Sequence, residues 1–275
     1  MSPLSTEHLA VFLAPSEVLA VRRRGIPRRI VETKSCPVPA REGTDGGDWS
    51  GAVAALSEVL REGACRRLEV MLSGHFMRYQ LLPWRDDLQD PEEELAAARL
   101  GFADVFGDVA ATWSIRLSHD APGIPRLAAA VDAGLVEAIS DAAQAAGALL
   151  VSLQPSLVAV ANCWRRHFDR KCSAWLVVHE ENRLSLALLE HGRWQWLRSL
   201  RVGADWCATL PQLIDYECLL ANAESAATEV LVLAPDQATL SLRSDTPLRF
   251  RQLSPKASGA YSPLSDGRFG FAMIG

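Results

Sequence analysis

Lysine is nearly missing from this 275-residue chain: it occurs only as Lys34, Lys171 and Lys256, and arginine carries the remaining positive charge. Acids outnumber bases, 33 to 28, for a net charge of −5, which argues against a nucleic-acid partner held by bulk electrostatics. No apolar run approaches the roughly 18–20 residues a membrane-spanning helix needs. The opening MSPLSTEHLAVFL carries an acid and a histidine and no basic stretch, which does not fit a secretory leader, so the expected compartment is the cytoplasm. The six cysteines (Cys36, Cys65, Cys163, Cys172, Cys207, Cys218) form no CxxC pair and no metal-ligand spacing. They read as small apolar filler in a reducing compartment, and no metal is expected. Neither Ser156 nor Ser185 sits in a nucleophile elbow, so nothing points to a hydrolase.

What remains is an ordinary globular composition, 49% hydrophobic and 22% charged, long enough for about two domains. Its main internal feature is a repeat. AVFLAPSEVLAVRRRGIPRRIV (10–31) lies over VVHEENRLSLALLEHGRWQWLR (177–198) without a gap, with Gly25 on Gly192, Val11 on Val178 and Phe12 on His179. Each copy alternates apolar residues at period 2 and predicts strand, turn, strand, glycine turn, strand. Two such meanders, each opening half of a chain, resemble the actin-like ATPase (sugar kinase/Hsp70/actin) group. That resemblance implies an α/β fold of two related lobes facing each other across a cleft.

Between the meanders, Asp48 is placed to cap a helix over about 49–62, whose Val53, Leu56 and Leu60 form one apolar stripe. RLEVMLS (67–73) and FMRYQLL (76–82) predict a hairpin turning at Gly74-His75, which leaves through Leu81-Leu82-Pro83-Trp84. Asp90-Pro91 then opens a helix with Glu92, Glu93 and Glu94 at its positive end. TWSIRLS (112–118) and PRLAAAV (125–131) predict strands, and a helix over 133–146 stops at Gly147. ALLVSL (148–153) is a strand and 155–168 a helix. Beyond the hydrophilic DRKCS (169–173) come the second meander, a helix over roughly 205–221 and the strand EVLVLA (229–234).

The stretch 67–161 narrows the resemblance. A hairpin ending in RYQLLPW, the acid-opened helix EEELAAARLGFADVF, two strands and then VDAGLVEAISDAAQAAGALLVSLQPSLVAVAN resemble the pilus assembly protein PilM and the cytoplasmic part of the secretion protein GspL. The likeness covers about 9–234 and implies a small α+β subdomain inserted in the first lobe. The expected domains are a first lobe over 1–168, holding that insertion at about 87–147, and a second lobe over 169–275.

ATP handling in that group calls for a carboxylate and a glycine in each meander's first turn, and a Gly-Gly turn after a late strand. Here the first turn has Phe12 and Ala14 in those places, with Pro15 removing an N–H donor ahead of Ser16. The second has His179 and Glu181, and the late strand runs from Ala234 into Pro235. All three nucleotide elements are degenerate, so no catalytic residue and no cofactor is expected. His179 with Glu180 and Glu181 reads as a hairpin turn of solvated charges in preference to a metal or acid–base cluster. Arg22, Arg23, Arg24, Arg28 and Arg29 read as a solvated strand end, with an acidic partner as the sharper option. Trp194 and Trp196 read as packing under the second lobe's helices.

The resemblance implies a non-enzymatic cytoplasmic scaffold of a type IV pilus or type II secretion machine, peripheral to the inner membrane through its protein partners. Such proteins dock the cytosolic tail of a PilN-like bitopic membrane protein and touch the hexameric assembly ATPase, without inserting in the membrane. Relatives hold an extended peptide between the first lobe and the insertion. Tyr79, Leu81, Leu82, Trp84, Phe102 and Phe106 are the expected contact residues there. A divergent nucleotide-binding or kinase-like ATPase of the same superfamily is the alternative.

Overall fold

The computed structural model describes residues 7–25, 29–39, 48–63, 65–88, 90–165, 168, 173–221, 227–237, 239–240, 247–254 and 266–274. The chain divides into two compact units: Met1–Met77 with Val131–Cys163 and Ser254–Gly275, and Arg78–Ala130 with Trp164–Leu253.

In the first unit, β1 (Glu7–Leu13) is buried from His8 onward, because side chains on both of its faces are covered. It pairs antiparallel with β2 (Glu17–Arg24), which pairs antiparallel with β3 (Arg29–Pro37). Helix α1 (Ser50–Arg61) buries Ala52, Leu56, Val59 and Leu60 and returns the chain to β4 (Arg67–Leu72), parallel to β1. The strand β8 (Leu149–Pro155) completes the order β3-β2-β1-β4-β8. Helix α3 (Ala133–Ala145) packs on α1. It starts at Asp132, whose carboxylate accepts from Gly134 N at 2.7 Å, and the backbone leaves past Gly147, whose φ of 66° favours glycine. Helix α4 (Ser156–Cys163) follows β8.

The arginine cluster is absorbed locally. Arg23 pairs with Glu69 on β4 inside the sheet, Arg24 with Glu7, and Arg22 with Glu32 at 3.0 Å. Arg28 lies outside the described residues.

The second unit repeats the plan with β9 (Ser173–Glu180), β10 (Arg183–Glu190), β11 (Arg193–Arg201), α5 (Trp206–Leu220), β12 (Glu229–Leu233) and β13 (Arg249–Gln252). Its sheet order is β11-β10-β9-β12-β13, again an antiparallel meander joined to parallel strands. Trp175, Leu186, Trp206, Leu210 and Ile214 form its core. Trp196 packs against that core, as expected, and donates to the buried Glu217 at 2.8 Å.

The same unit holds the insertion: β5 (Met77–Leu82), α2 (Pro91–Phe106), a 3-10 turn Gly107–Thr112, β6 (Trp113–Leu117) and β7 (Arg126–Asp132), with sheet order β5-β7-β6. Asp90 caps α2 by accepting from Glu92 N at 2.8 Å.

Four expectations change. β5 does not pair with β4, since both edges of β4 are already taken by β1 and β8; it joins β7 in a separate sheet. The gap-free overlay of the meanders breaks at the turns. Leu13 pairs with Val18 across four residues, whereas Glu180 pairs with Arg183 across two. The insertion, expected at 87–147, gives up α3, which belongs with α1 in the first unit. The last segment, expected with the second lobe, returns to the first unit. There α6 (Gly270–Met273) packs on β1, and Arg268, just before it, pairs with Glu17 at 2.8 Å.

Candidate functional site

The ends of β1 and β9 are where the fold would place its phosphate-binding turns, and aromatic side chains close each of them within its own unit. At the end of β1 the Phe12 ring stacks on Phe271, with centroids 4.5 Å apart at 15°, and both are buried. Ala14 is buried, and its N–H is consumed by Glu17 O at 3.0 Å. Ser16 is exposed, and its carbonyl accepts from Val38 N at 2.7 Å. Phe12 occupies the position where the resemblance calls for an acid, and the Ala14 N–H is already taken.

At the end of β9 the solvated turn expected from sequence is largely wrong. His179 and Glu180 are buried, while Glu181, at a left-handed φ of 53°, and Asn182 are exposed. The two-residue turn lifts Glu181 clear while strand alternation points His179 inward. His179 stacks on Trp206 of α5 at 4.4 Å and 15°, and its Nδ1 lies 3.4 Å from Asp236 Oδ1. Asp236 follows Ala234 and Pro235, where Gln237 N donates to Ala234 O at 3.0 Å in a tight turn. Among the described residues, no three His, Cys, Asp or Glu side chains converge as a metal-binding group.

An open groove of about 610 Å³ lies in the insertion, lined by Trp84, Leu88, Leu95, Ile115 and Leu117, with Glu94 and Arg126 in its wall. A side pocket of about 190 Å³ shares Trp84, Leu88, Glu94 and Arg126 and adds Leu82, Pro83 and Ala97. Arg126 organises the wall. Its guanidinium lies 5.5 Å from the Trp84 ring centroid, Nη2 pairs with Glu94 Oε1 at 2.9 Å, and Nη1 donates to Ser118 O at 3.2 Å. Trp84 Nε1 donates to Asp86 Oδ1 at 2.8 Å, so the indole is held from its edge as well as its face.

Of the six expected contact residues, Trp84 lines both the groove and its side pocket, and Leu82 lines the side pocket. Leu81 is half-buried outside it. Phe102 is fully buried among Ala98, Ala110, Ile115, Ala128 and Ala130, so it is the insertion's core and leaves the contact surface. Phe106 is 37% exposed but packs against Trp113 at 5.1 Å, away from the groove. The Tyr79 hydroxyl is buried with no hydrogen-bond partner among the described residues. Burial, reinforced by Glu180, pushes it well above the ordinary phenol range. Sequence reading passed over Ile115 and Leu117, whose period-2 spacing puts them on one strand face, and Arg126, which has no local signature.

Two sheets of one topology, each an antiparallel meander continued by parallel strands, together define the actin-like ATPase fold. No protein-family model and no curated protein sequence matches this chain. Solved structures do match. A chain of the PilM–PilN type IV pilus biogenesis complex aligns with TM-score 0.70 over 98% of this chain and 97% of its own length, at 16% identity. The cytoplasmic domain of EpsL, an inner-membrane component of the type II secretion system of Vibrio cholerae, aligns with TM-score 0.57 over 98% and 94%, at 10% identity. A Bacteroides thetaiotaomicron protein of unknown function with an actin-like ATPase fold aligns with TM-score 0.55 over 86% and 83%, at 12% identity. The chain therefore has the actin-like fold in the form seen in PilM and in the cytoplasmic domain of EpsL.

Proposed function

We propose that this protein is a non-catalytic platform of a type IV pilus or type II secretion-like machine, which docks the cytosolic segment of a PilN-like inner-membrane protein. The observation that carries this reading is the closure of both strand ends by stacked rings, with Phe12 and His179 standing where the resemblance calls for a carboxylate. The groove at Trp84 supports the docking. Its size falls within the range of about 300–1,000 Å³ usual for ligand sites. Its apolar floor suits alternate side chains of an extended peptide. The protein sits in the cytoplasm at the inner membrane through that partner, and the hexameric assembly ATPase is a second contact. The solved PilM–PilN complex supports the choice of partner.

The reading is tested by pull-down of the bitopic membrane protein encoded beside this one. Trp84→Ala removes a ring held on two sides before any ligand arrives, and buried aromatic anchors of this kind contribute about 2 kcal/mol or more. Capture should fall about 30-fold or more while the melting temperature stays near wild type. Tyr79→Ala, outside the groove, should cost stability and leave capture by the folded protein intact. Undiminished capture by well-folded Trp84→Ala would remove the groove from the account.

A further inference from the structure

The segment 266–274, which seals the end of β1, is held there almost without hydrogen bonds. A 3-10 turn (Gly267–Phe269) leads into α6, which packs on β1, β2 and β4 with Phe269, Phe271 and Ala272 buried. Its polar groups mostly bond one another. Asp266 accepts from Arg268 N at 2.9 Å and pairs with that guanidinium at 2.7 Å, and Ile274 N donates to Phe271 O at 3.3 Å. Among the described residues, its one polar bond to the rest of the first unit runs from Arg268 Nη1 to Glu17 Oε2 at 2.8 Å. The Arg268 side chain is 42% exposed, so that bond is open to solvent. A helix of four residues has no stability of its own in water. Docking and ordering of the segment are therefore one event, driven by burial of two phenyl rings and opposed by the entropy of fixing its backbone. Trp206, which closes the other strand end, lies on the 15-residue α5 inside the second unit's core and leaves only if that core comes apart.

We infer that residues 266–274 are a detachable latch, which leaves the first unit as one piece while β1, β2 and β4 stay paired. Opening breaks one ring stack and one ion pair and no hydrogen bond of the sheet, which makes it a local step below global unfolding. It bares the Phe12 ring and parts the Glu17 carboxylate from Arg268, leaving it the Ser35 hydroxyl, which donates at 3.3 Å. The vacated seat is a slot for an aromatic ring beside a carboxylate. It fits a phenyl group one helical turn beyond a base, as Phe271 is beyond Arg268, so its occupant is this chain's own C-terminal segment. The first strand end is thus a surface the protein opens and closes, and the second is shut for as long as its unit is folded.

The test is hydrogen exchange of the full chain across low urea concentrations. Amides at 270–274 are expected to exchange together, at least about 10-fold faster than those at 9–13 and 175–179. Their rates should depend little on urea, because a small opening exposes little surface. Arg268→Gln should speed exchange at 270–274 several-fold and leave 9–13 unchanged. A labelled peptide of residues 265–275 supplies a second arm. In the wild type it competes with a tethered segment at an effective concentration of about millimolar, so it should bind Phe271→Ala at least about 10-fold tighter. Exchange at 270–274 that matches 9–13 in rate and urea dependence would overturn the latch, since the segment would then leave only on global unfolding. A gradient of rates rising from 270 to 274 would overturn it too, as fraying of a chain end. No preference of the peptide for a Phe271→Ala protein that keeps its protection at 175–179 would contradict a seat that opens.

Discussion

The end of β1 and the end of β9 are the same place in two copies of one plan, and they are closed by the same geometry with different chemistry. Phe12 on Phe271 and His179 on Trp206 both stack at 15°, at 4.5 and 4.4 Å. The first pair contains no polar atom. The second keeps a polar corner, with Asp236 at 3.4 Å from His179 Nδ1, and with His179 Nε2 and Trp206 Nε1 buried without partners among the described residues. A buried donor or acceptor left unpaired costs about 1–3 kcal/mol, so the second closure is the weaker for a similar burial of ring. The closing rings also differ in origin: Trp206 arrives on the helix next in the chain, whereas Phe271 returns from the far C-terminus. Stacked rings suffice to fill a strand end in this fold, whichever element supplies them.

The sharpest way to break this comparison is to put the acid back. Phe12→Asp buries a carboxylate against Phe271 with nothing to pair it, and should destabilise the protein by more than about 3 kcal/mol in urea denaturation. His179→Asp places its carboxylate beside the partly exposed Asp236 and loses the stack on Trp206. It should cost less, about 1–3 kcal/mol. The reverse ranking would contradict a sealed first end and a polar second one.

Removing the closing rings comes next. Trp206→Ala and Phe271→Ala should each cost about 3–5 kcal/mol, as large-to-small changes in packed sites do. Because Phe271 closes the β1 end from the C-terminus, Phe271→Ala should raise hydrogen exchange at 12–17 and leave 179–183 unchanged. Faster exchange at both ends would mean that the closures are not independent.

Tyr79 gives a smaller effect with a definite sign. Its hydroxyl is held neutral above the ordinary phenol value of 10.0 by burial and by Glu180. Below pH 10 the phenol is neutral both folded and unfolded, so it adds no pH dependence. Above that, the unfolded chain releases the proton first, and stability falls as pH rises. Tyr79→Phe should be neutral or stabilising by up to about 1 kcal/mol at pH 7, and should flatten the loss of stability between about pH 10 and 11. An unchanged alkaline slope would show that the hydroxyl is not the group involved. Arg268→Gln, which loosens an exposed pairing with Glu17 and Asp266, should cost about 1 kcal/mol or less.

Much of this plan was legible in the chain. Period-2 alternation and Gly25 and Gly192 revealed both meanders, and Asp90-Pro91 with three following glutamates announced α2. Local patterns fail where a partner distant in sequence decides the outcome. RLEVMLS and FMRYQLL look like a hairpin until β1 and β8 claim both edges of β4. His179-Glu180-Glu181 looks like a charged turn until Trp206 covers the imidazole. Phe102 and Trp84 look alike as aromatic anchors. Yet one is closed over by small residues, Ala98, Ala110, Ala128 and Ala130, while Arg126 and Asp86 hold the other at the groove. The return of Phe271 to Phe12 has no sequence signature, because nothing local links residues so far apart.

The central claim is that neither strand end accepts a nucleotide. Isothermal titration of the full chain with ATP and Mg²⁺ tests it most directly. The account predicts no saturable heat with ligand up to about 1 mM, corresponding to less than about 4 kcal/mol of binding free energy. A dissociation constant in the low micromolar range would contradict it.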